Sequence, residues 1–444
     1  MQNENIVAIS TGLSASGVAV LRISGDSPLS IAEKMFKPMG NVKVKDFEPY
    51  KLYVGEFSAE NFKDFGMCVY FKAPKSFTGE DVVEFHTHGG VAITKGILQT
   101  AIKHGARLAK NGEFTKRAFM NGKLSLASAE GLIDMINSQS ESGVKAGYYL
   151  YREKLTNEII ALQDKLTDLL SEIDADMDFP EEDLEISAKE SAKETLAKVI
   201  EKTQSLINSF ATGRRILNGV KVAICGKPNT GKSSLLNALL NYDKAIVSNV
   251  AGTTRDVVEG AIDINGVRFN LYDTAGIRDS DDEIETLGVS LSKRILSECD
   301  LVVFVQDITD INEQDNAVYQ QIKDKNLIVV LNKSDKGSSN AKADIIISAK
   351  EKKNLNELRE LMYEKTVGSG VDLNGDFLCE ERHYEALLRA KEKLVSALNS
   401  INDFTLDLVA IDIKDGWDAL GEISGKTATE EIIDNIFAKF CVGK

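Results

Sequence analysis

The residues with the clearest chemical purpose lie between Gly226 and Lys350. Gly226-Lys227-Pro228-Asn229-Thr230-Gly231-Lys232-Ser233 fits G-x-x-x-x-G-K-[ST], with the strand-like run KVAIC before it and the helix-like run SLLNALLN after it. In that setting the backbone N–H groups of a glycine-rich loop close around phosphates, and the N-terminus of the following helix favours their charge. Lys232 is expected to reach the β- and γ-phosphates. The Ser233 hydroxyl, with Ser234 beside it at the start of the helix, is expected at magnesium. The bland alternative is a glycine-rich turn with no ligand; the order strand, loop, helix argues against it.

Further strings follow in the order that GTP chemistry requires. Leu271-Tyr272-Asp273-Thr274-Ala275-Gly276 ends an apolar run, so that Asp273 can hold magnesium through water and the Gly276 amide can face the γ-phosphate. Between them, Gly252-Thr253-Thr254-Arg255-Asp256 places Thr254 where it could offer the metal a second hydroxyl. VVLNKSD ends another strand. There Asp335 presents two acceptor oxygens that match the N1–H and amino donors of guanine, a donor pair that adenine lacks. Asn332 is expected to brace the loops, the Lys333 stem to cover the purine, and Ser348-Ala349-Lys350 to contact the base oxygen. Each string alone is weak; together, in order, they specify a guanine-nucleotide site. Position 277 narrows the mechanism. A Ras-like enzyme carries there the glutamine that orients the attacking water, and this chain carries Ile277, which cannot. Another group must act, and acids crowd the next segment (Asp279, Asp281, Asp282, Glu283, Glu285). For any one of them, the residues alone also read as a solvated loop entering a helix.

These loops need a scaffold. From Val220 to about Val367 strand-like and helix-like runs alternate, which predicts a doubly wound parallel sheet, a Ras-like P-loop domain at 216–370. Residues 1–117 read as mixed α/β. GVAVLRISG, LYVGEF and MCVYFKA have strand length, and VAITKGILQTAIKHG (91–105) has helical spacing ending in Gly105. Helical spacing fills 118–212 and returns at 376–444, with Pro180 in the acidic stretch DMDFPEEDLE as a break. The expected architecture is therefore multidomain α/β and α: an N-terminal α/β domain, and a discontinuous helical domain (118–212 and 376–444) into which the P-loop domain is inserted.

Composition sets the outer limits. The 444 residues suggest two to three domains, and 43% hydrophobic with 27% charged residues is the balance of a folded chain. A net charge of −15, from 53 basic and 68 acidic residues, argues against sequence-blind binding to a nucleic-acid backbone, though not against a local basic patch. The five cysteines are scattered without C-x-x-C pairs, as expected of a reducing compartment. No signal peptide and no apolar run long enough to span a bilayer is evident, so a cytoplasmic location without membrane attachment is expected.

The whole chain resembles the tRNA-modification GTPase family MnmE (TrmE). The resemblance is carried by SFTGEDVVEFHTHGG (76–90), GEFTKRAFMNGKLSLASAEG (112–131), DFPEED (178–183), GTTRD with DTAGIRDSDDEIE, and the terminal Cys441-Val442-Gly443-Lys444. It implies a homodimer formed through a folate-binding N-terminal domain, and a flavin-dependent partner of the MnmG (GidA) type that carries FAD. It implies a carboxymethylaminomethyl-type modification at carbon 5 of the wobble uridine of certain tRNAs. The one-carbon unit would come from a tetrahydrofolate derivative, 5-formyl- or 5,10-methylene-tetrahydrofolate. Potassium is implied at Asn229 and the loop Ser248-Asn249-Val250-Ala251-Gly252-Thr253, with Ser248, Val250 and Thr253 as ligands, and Glu285 is implied as the residue that positions water. A cation there would neutralise charge where other GTPases insert an arginine. Folate contacts are implied at Arg22, Glu80, Lys123 and Lys444, and a role in modification at Cys441. From the residues alone, Arg22 also reads as an edge-strand charge and Glu80 as a turn cap.

Other readings remain. His86 and His88 share one strand face but lack an evident third metal ligand. The DMDFPEEDLE acids lack the spacing of a calcium loop. A ribosome-assembly GTPase would carry an RNA-binding module such as a KH domain, and no GXXG appendage follows the P-loop segment. A non-catalytic GTP-regulated scaffold is the alternative that Ile277 keeps open.

Overall fold

The computed structural model describes residues 4–178, 182–242, 260–273, 295–368 and 377–444, with the backbone alone at 176–178, 182–188 and 242. Its internal contacts group the chain into two compact units, Met1–Ile133 with Leu150–Asp164 and Trp417–Lys444, and Asp134–Tyr149 with Lys165–Gly416. These cut across the three segments expected from the sequence.

In the first unit the strands β1 (Ile6–Ile9), β2 (Ser16–Gly25), β3 (Phe36–Pro38), β4 (Leu52–Ser58), β5 (Lys63–Phe71), β6 (Asp81–Gly89) and β7 (Arg107–Leu108) form one sheet in the order β3-β4-β5-β6-β2-β1-β7. Strand neighbours are antiparallel except β1 with β7. The helices Pro28–Met35 and Val91–Lys103 bury Ile31, Met35, Ile97 and Ala101 with Leu21, Ile23 and Phe85 of the sheet. Helix Val91–Lys103 stops where the sequence suggests, with His104 as cap and Gly105 at positive φ. On the opposite face of β4 and β5, Leu52, Val54 and Phe65 are about half exposed. The helices Glu113–Met120, Leu126–Asn137 and Glu430–Ala438 share a small core of Phe119, Leu126, Ile436, Phe437 and Phe440. The last residues lie back on the first strand's exit. Ser10 Oγ donates to the Gly443 carbonyl at 3.2 Å, and Asn111 forms an antiparallel bridge with Val442.

In the second unit β8 (Val220–Cys225), β9 (Gly260–Ile264), β10 (Val267–Asp273), β11 (Leu301–Asp307), β12 (Leu327–Asn332) and β13 (Ile345–Ile346) form a sheet ordered β13-β12-β11-β8-β10-β9. All pairs are parallel except β9 with β10. That exception is a two-residue hairpin through Asn265-Gly266, both at positive φ, the conformation that an Asn-Gly turn favours. Alternation along the strands explains why helices cover both faces. Val303 and Val305 join Leu235, Leu239, Leu358 and Met362 in one core, while Val302 and Phe304 pack with Ile322 on the other side. Every residue of β11 is buried. The doubly wound sheet is therefore as expected, with an antiparallel edge. In chain order, long helices Lys154–Asp178 and Glu182–Asn218 flank Pro180, which itself is outside the described residues, and helices Glu381–Ser400 and Leu406–Ser424 follow the sheet; Lys154–Asp178 and Leu406–Ser424 have residues in both units. No described helix is long and apolar enough to cross a membrane.

Candidate functional site

Strand order changes direction at β8, whose neighbours are β10 on one side and β11 on the other. Loops at the carboxyl end of such a strand open into a crevice where ligands bind. The loop after β8 is the phosphate-loop string, and helix Lys232–Tyr242 begins at its lysine.

The loop is pinned from several sides. Gly226 passes so close to the Val305 carbonyl that an added Cβ would sit 2.2 Å from that oxygen, and only glycine fits. Asn229 takes positive φ, and its carbonyl accepts Lys333 Nζ at 2.7 Å. The Thr230 carbonyl accepts Asn332 Nδ2 at 3.0 Å, and Gly231 passes directly under the same amide. Lys232 is buried and donates to the Lys227 carbonyl at 2.8 Å, an acceptor it can exchange for phosphate. Ser233 Oγ donates to Asp273 Oδ2 at 2.9 Å, so the two groups expected around magnesium already touch. Ser234 is exposed on the first turn.

The base-side loop is assembled by bonds of the same kind. Asn332 Oδ1 accepts the Ala349 amide at 3.0 Å, so this one side chain joins the phosphate loop to the segment 348–350. Ser348 Oγ donates to Asp335 Oδ1 at 2.6 Å, and this hydrogen bond holds the Asp335 carboxyl below its ordinary range. Oδ2 and a second lone pair of Oδ1 are left to face a base. Lys333 also binds Asp307 Oδ2 at 2.6 Å; burial alone would raise the Asp307 carboxyl, but that lysine and Thr309 lower it. Lys350 is exposed beside Asp335.

The structure thus brings together Gly226, Asn229, Thr230, Gly231, Lys232, Ser233, Asp273, Asn332, Lys333, Asp335, Ser348 and Ala349. The expected residues Ser248, Asn249, Val250, Ala251, Gly252, Thr253, Thr254, Thr274, Ala275, Gly276 and Glu285, with Ile277, lie outside the described residues. One participant was not foreseen. Lys227, second in the loop, is 6% exposed and pairs with the fully buried Asp315 at 2.9 Å. Its position in the motif is unrestricted, so nothing local flags it.

In the N-terminal unit, Glu80 is 9% exposed and borders a cavity of about 310 Å³, lined also by Asp26, Ala73, Gly79 and Asn121. Lys123 packs its stem against Gly79 and donates to the Pro74 carbonyl at 3.0 Å, which places it beside the same cavity. Arg22 of β2 lies opposite Glu84 of β6 and binds it at 2.8 Å, with the rings of Phe77 and Phe114 within 6 Å of its guanidinium. It shares a face of β2 with Ser24, whose hydroxyl donates to Glu80 Oε2 at 2.7 Å. Cys441 is exposed, and its carbonyl accepts the amides of Gly112 at 3.5 Å and Lys444 at 3.4 Å. The residues expected at folate thus divide: Glu80 lines the cavity and Lys123 lies against Gly79 of its wall, whereas Arg22 contacts Glu84, and Lys444 lies in the docked tail. Arg117, which binds both oxygens of Glu80, was not foreseen; its i, i+4 spacing from Glu113 was the available signal. His88 Nδ1 bonds Asp64 at 2.6 Å, and no group of three metal-ligating side chains occurs among the described residues.

A doubly wound sheet with a phosphate loop at its switch point, in a chain that also carries an N-terminal α/β unit and long helices, defines a multidomain P-loop GTPase architecture. Residues 5–123 match the family described as "GTP-binding protein TrmE N-terminus", and residues 126–441 match "MnmE helical domain". Full-length relatives are named tRNA modification GTPase MnmE. That of Thermoanaerobacter pseudethanolicus is 39% identical over 99% of this chain and 99% of its own. That of Caldicellulosiruptor saccharolyticus is 37% identical over the whole of both. A solved structure of Aquifex aeolicus Era is 29% identical over 39% of this chain and 66% of its own, with a TM-score of 0.26. The chain belongs to the MnmE family.

Proposed function

We propose that this protein hydrolyses GTP to drive tRNA modification. The observation that carries the reading is the convergence of Lys232, Ser233 and Asp273 on one side of the phosphate loop with Asn332, Asp335 and Ser348 on the other. Loop amides and Lys232 bind the phosphates, Ser233 and Asp273 hold magnesium, joined by Thr254, and Asp335 selects guanine. Magnesium, when bound, neutralises charge developing on the phosphates. Asn229, with Ser248, Val250 and Thr253, is assigned to potassium, which would neutralise charge near the scissile bridge, and Glu285 to the attacking water in place of the glutamine that Ile277 replaces. In support, the positive φ of Asn229 is held by Lys333 through its carbonyl, leaving its side-chain amide unused by any described hydrogen bond.

The proposed modification is the 5-carboxymethylaminomethyl type at the wobble uridine, formed in the cytoplasm with an MnmG-type FAD protein. We assign residues 1–117 to folate binding and dimerisation, 118–212 with 376–444 to the helical domain, and 216–370 to GTP. The half-exposed Leu52, Val54 and Phe65 support a homodimer through the N-terminal sheet, since an exposed apolar patch there needs a cover. The cavity beside Glu80 and Lys123 supports a tetrahydrofolate derivative. Glu80 at its wall is an acceptor suited to a pterin's donors, and Lys123, whose stem lies against Gly79 of that wall, is a cation suited to a glutamate tail. Arg22 and Lys444 are assigned to the same ligand, and Cys441 to the modification.

Two measurements test the reading. Nucleoside analysis of tRNA from cells lacking the protein should show loss of the wobble modification; its persistence refutes the biological role. GTP turnover should rise when potassium replaces sodium, and Glu285→Ala should keep nucleotide binding while losing turnover. Equal turnover in both salts refutes the potassium mechanism.

A further inference from the structure

Glu80 is a buried acid at the wall of a cavity in the N-terminal unit, and its carboxylate is bound by protein groups from two other segments, Ser24 of β2 and Arg117. Its Oε2 accepts Ser24 Oγ at 2.7 Å and Arg117 Nη1 at 3.0 Å, and its Oε1 accepts the same Arg117 nitrogen at 3.2 Å. A carboxylate offers about four acceptor positions. Nη1 carries two hydrogens and one goes to the Glu4 carbonyl, so the other is shared between the two oxygens: Oε2 is engaged twice, by Ser24 and by Arg117, and Oε1 only through that shared hydrogen.

Arg117 is itself held in place. Its Nη1 also donates to the Glu4 carbonyl at 3.0 Å, and its Nη2 to Glu113 Oε1 at 3.1 Å. Glu113 in turn takes both terminal nitrogens of Arg107, at 3.0 and 2.6 Å, and the Lys110 amide at 2.8 Å. Arg107 continues to Glu4 at 2.8 Å. The side chains of Glu80, Arg117 and Glu113 are all under a sixth exposed, so water competes little for these bonds. A ladder of alternating charge therefore runs from the first strand's entry to the cavity wall. A planar guanidinium fork is suited to bridge two carboxylates in this way, and an ammonium is not.

We propose that Arg117 is a positioning residue for ligand binding: it orients Glu80 at the cavity wall and leaves Oε1 as the oxygen less engaged by protein groups. The inference rests on the reading of Glu80 as a folate contact. It adds a constraint on recognition. A heterocycle entering the cavity can donate one hydrogen bond to Oε1 with both bonds on Oε2 left in place. An edge with two adjacent donors, such as a pterin N–H and its amino group, must take the second acceptor from Arg117 or Ser24.

The experiment measures binding of 5-formyl-tetrahydrofolate to the full-length chain by titration calorimetry. The variants are Glu80→Gln, Arg117→Leu, Arg117→Lys and the double Glu80→Gln/Arg117→Leu, which removes both charges and so leaves no buried ion unpaired. GDP affinity and the melting temperature are recorded for each. Arg117→Leu should weaken binding about tenfold or more, as expected for loss of a charge-assisted bond, with GDP affinity unchanged, and Arg117→Lys should recover part of the loss. The double variant should bind no worse than the weaker single variant, because Arg117 acts through Glu80. Binding by Arg117→Leu within about twofold of the unsubstituted protein, or losses that add in the double variant, overturns the positioning role. No binding by the unsubstituted protein, or full binding by Glu80→Gln, instead overturns the folate assignment beneath it.

Discussion

Replacing Lys227 with methionine removes an ammonium whose three protons all have protein acceptors. Its Nζ donates to Asp315 Oδ2 at 2.9 Å, to Asp310 Oδ2 at 3.1 Å and to the Asp310 carbonyl. Burial alone would lower this lysine, but the bonds to Asp315 and Asp310 outweigh it and raise its pKa, so it stays charged. Asp315 is fully buried, its Oδ1 has no partner among the described residues, and its Oδ2 also accepts the Asn312 amide in a helix cap. Lys227→Met therefore strands a carboxylate in the interior. Breaking one side of a buried pair costs about 3–5 kcal/mol, whereas replacing both sides by apolar groups is often close to neutral. The expected result is a loss of about 3–5 kcal/mol for Lys227→Met, with most of it restored in Lys227→Met/Asp315→Leu. Because the Lys227 carbonyl also anchors Lys232 and Thr230, nucleotide affinity should fall in the single variant. Urea unfolding followed by release of a fluorescent GDP reads both quantities. A single variant within about 1 kcal/mol of the parent, or a double variant less stable than the single, would refute the reasoning.

Two further outcomes are expected. Asp335→Asn places an amide donor against the donors of guanine, so GTP affinity should fall by about a hundredfold or more, from the loss of charge-assisted bonds. A xanthine nucleotide, with a carbonyl where guanine has its amine, should bind better than GTP; competition binding that keeps the original preference would contradict the base assignment. Glu113 is the pH probe. Burial would raise its carboxyl, but Arg107, the Lys110 amide and Arg117 outweigh this and lower it to about 2. A depressed carboxylate contributes stability that is present above its ordinary value of 4.5 and lost as pH falls towards 2. The stability gap between the parent and Glu113→Gln should thus be constant above about pH 5 and shrink below pH 4.5. Acid titration of unfolding with a gap that does not change would show that the ladder does not hold Glu113 as described.

Much of the nucleotide site was legible because its parts are local. A glycine-rich loop between a strand and a helix needs its residues at fixed short offsets, and Asn332, Lys333 and Asp335 stand together at one strand end. Helix Val91–Lys103 was legible for the same reason, since apolar spacing and a glycine stop are written within one segment. The Asn265-Gly266 turn is also local but was not among the sequence expectations, and it accounts for the antiparallel edge that strand–helix alternation alone does not predict. Contacts between distant segments were not legible. Lys227 meets Asp315 and Arg117 meets Glu80 across long stretches of chain, and neither periodicity nor motif spacing carries the identity of such partners. The same holds for the tail, where Gly443 meets Ser10 from the other end of the sequence. By itself the sequence determined which chemistry the chain can perform, because binding loops are short and their residue types are prescribed by phosphate, metal and base. The tertiary structure decided which charges are buried, what orients them and how many acceptors remain for a ligand. Burial and pairing arise only when separate segments pack, and they set the strength of each charge.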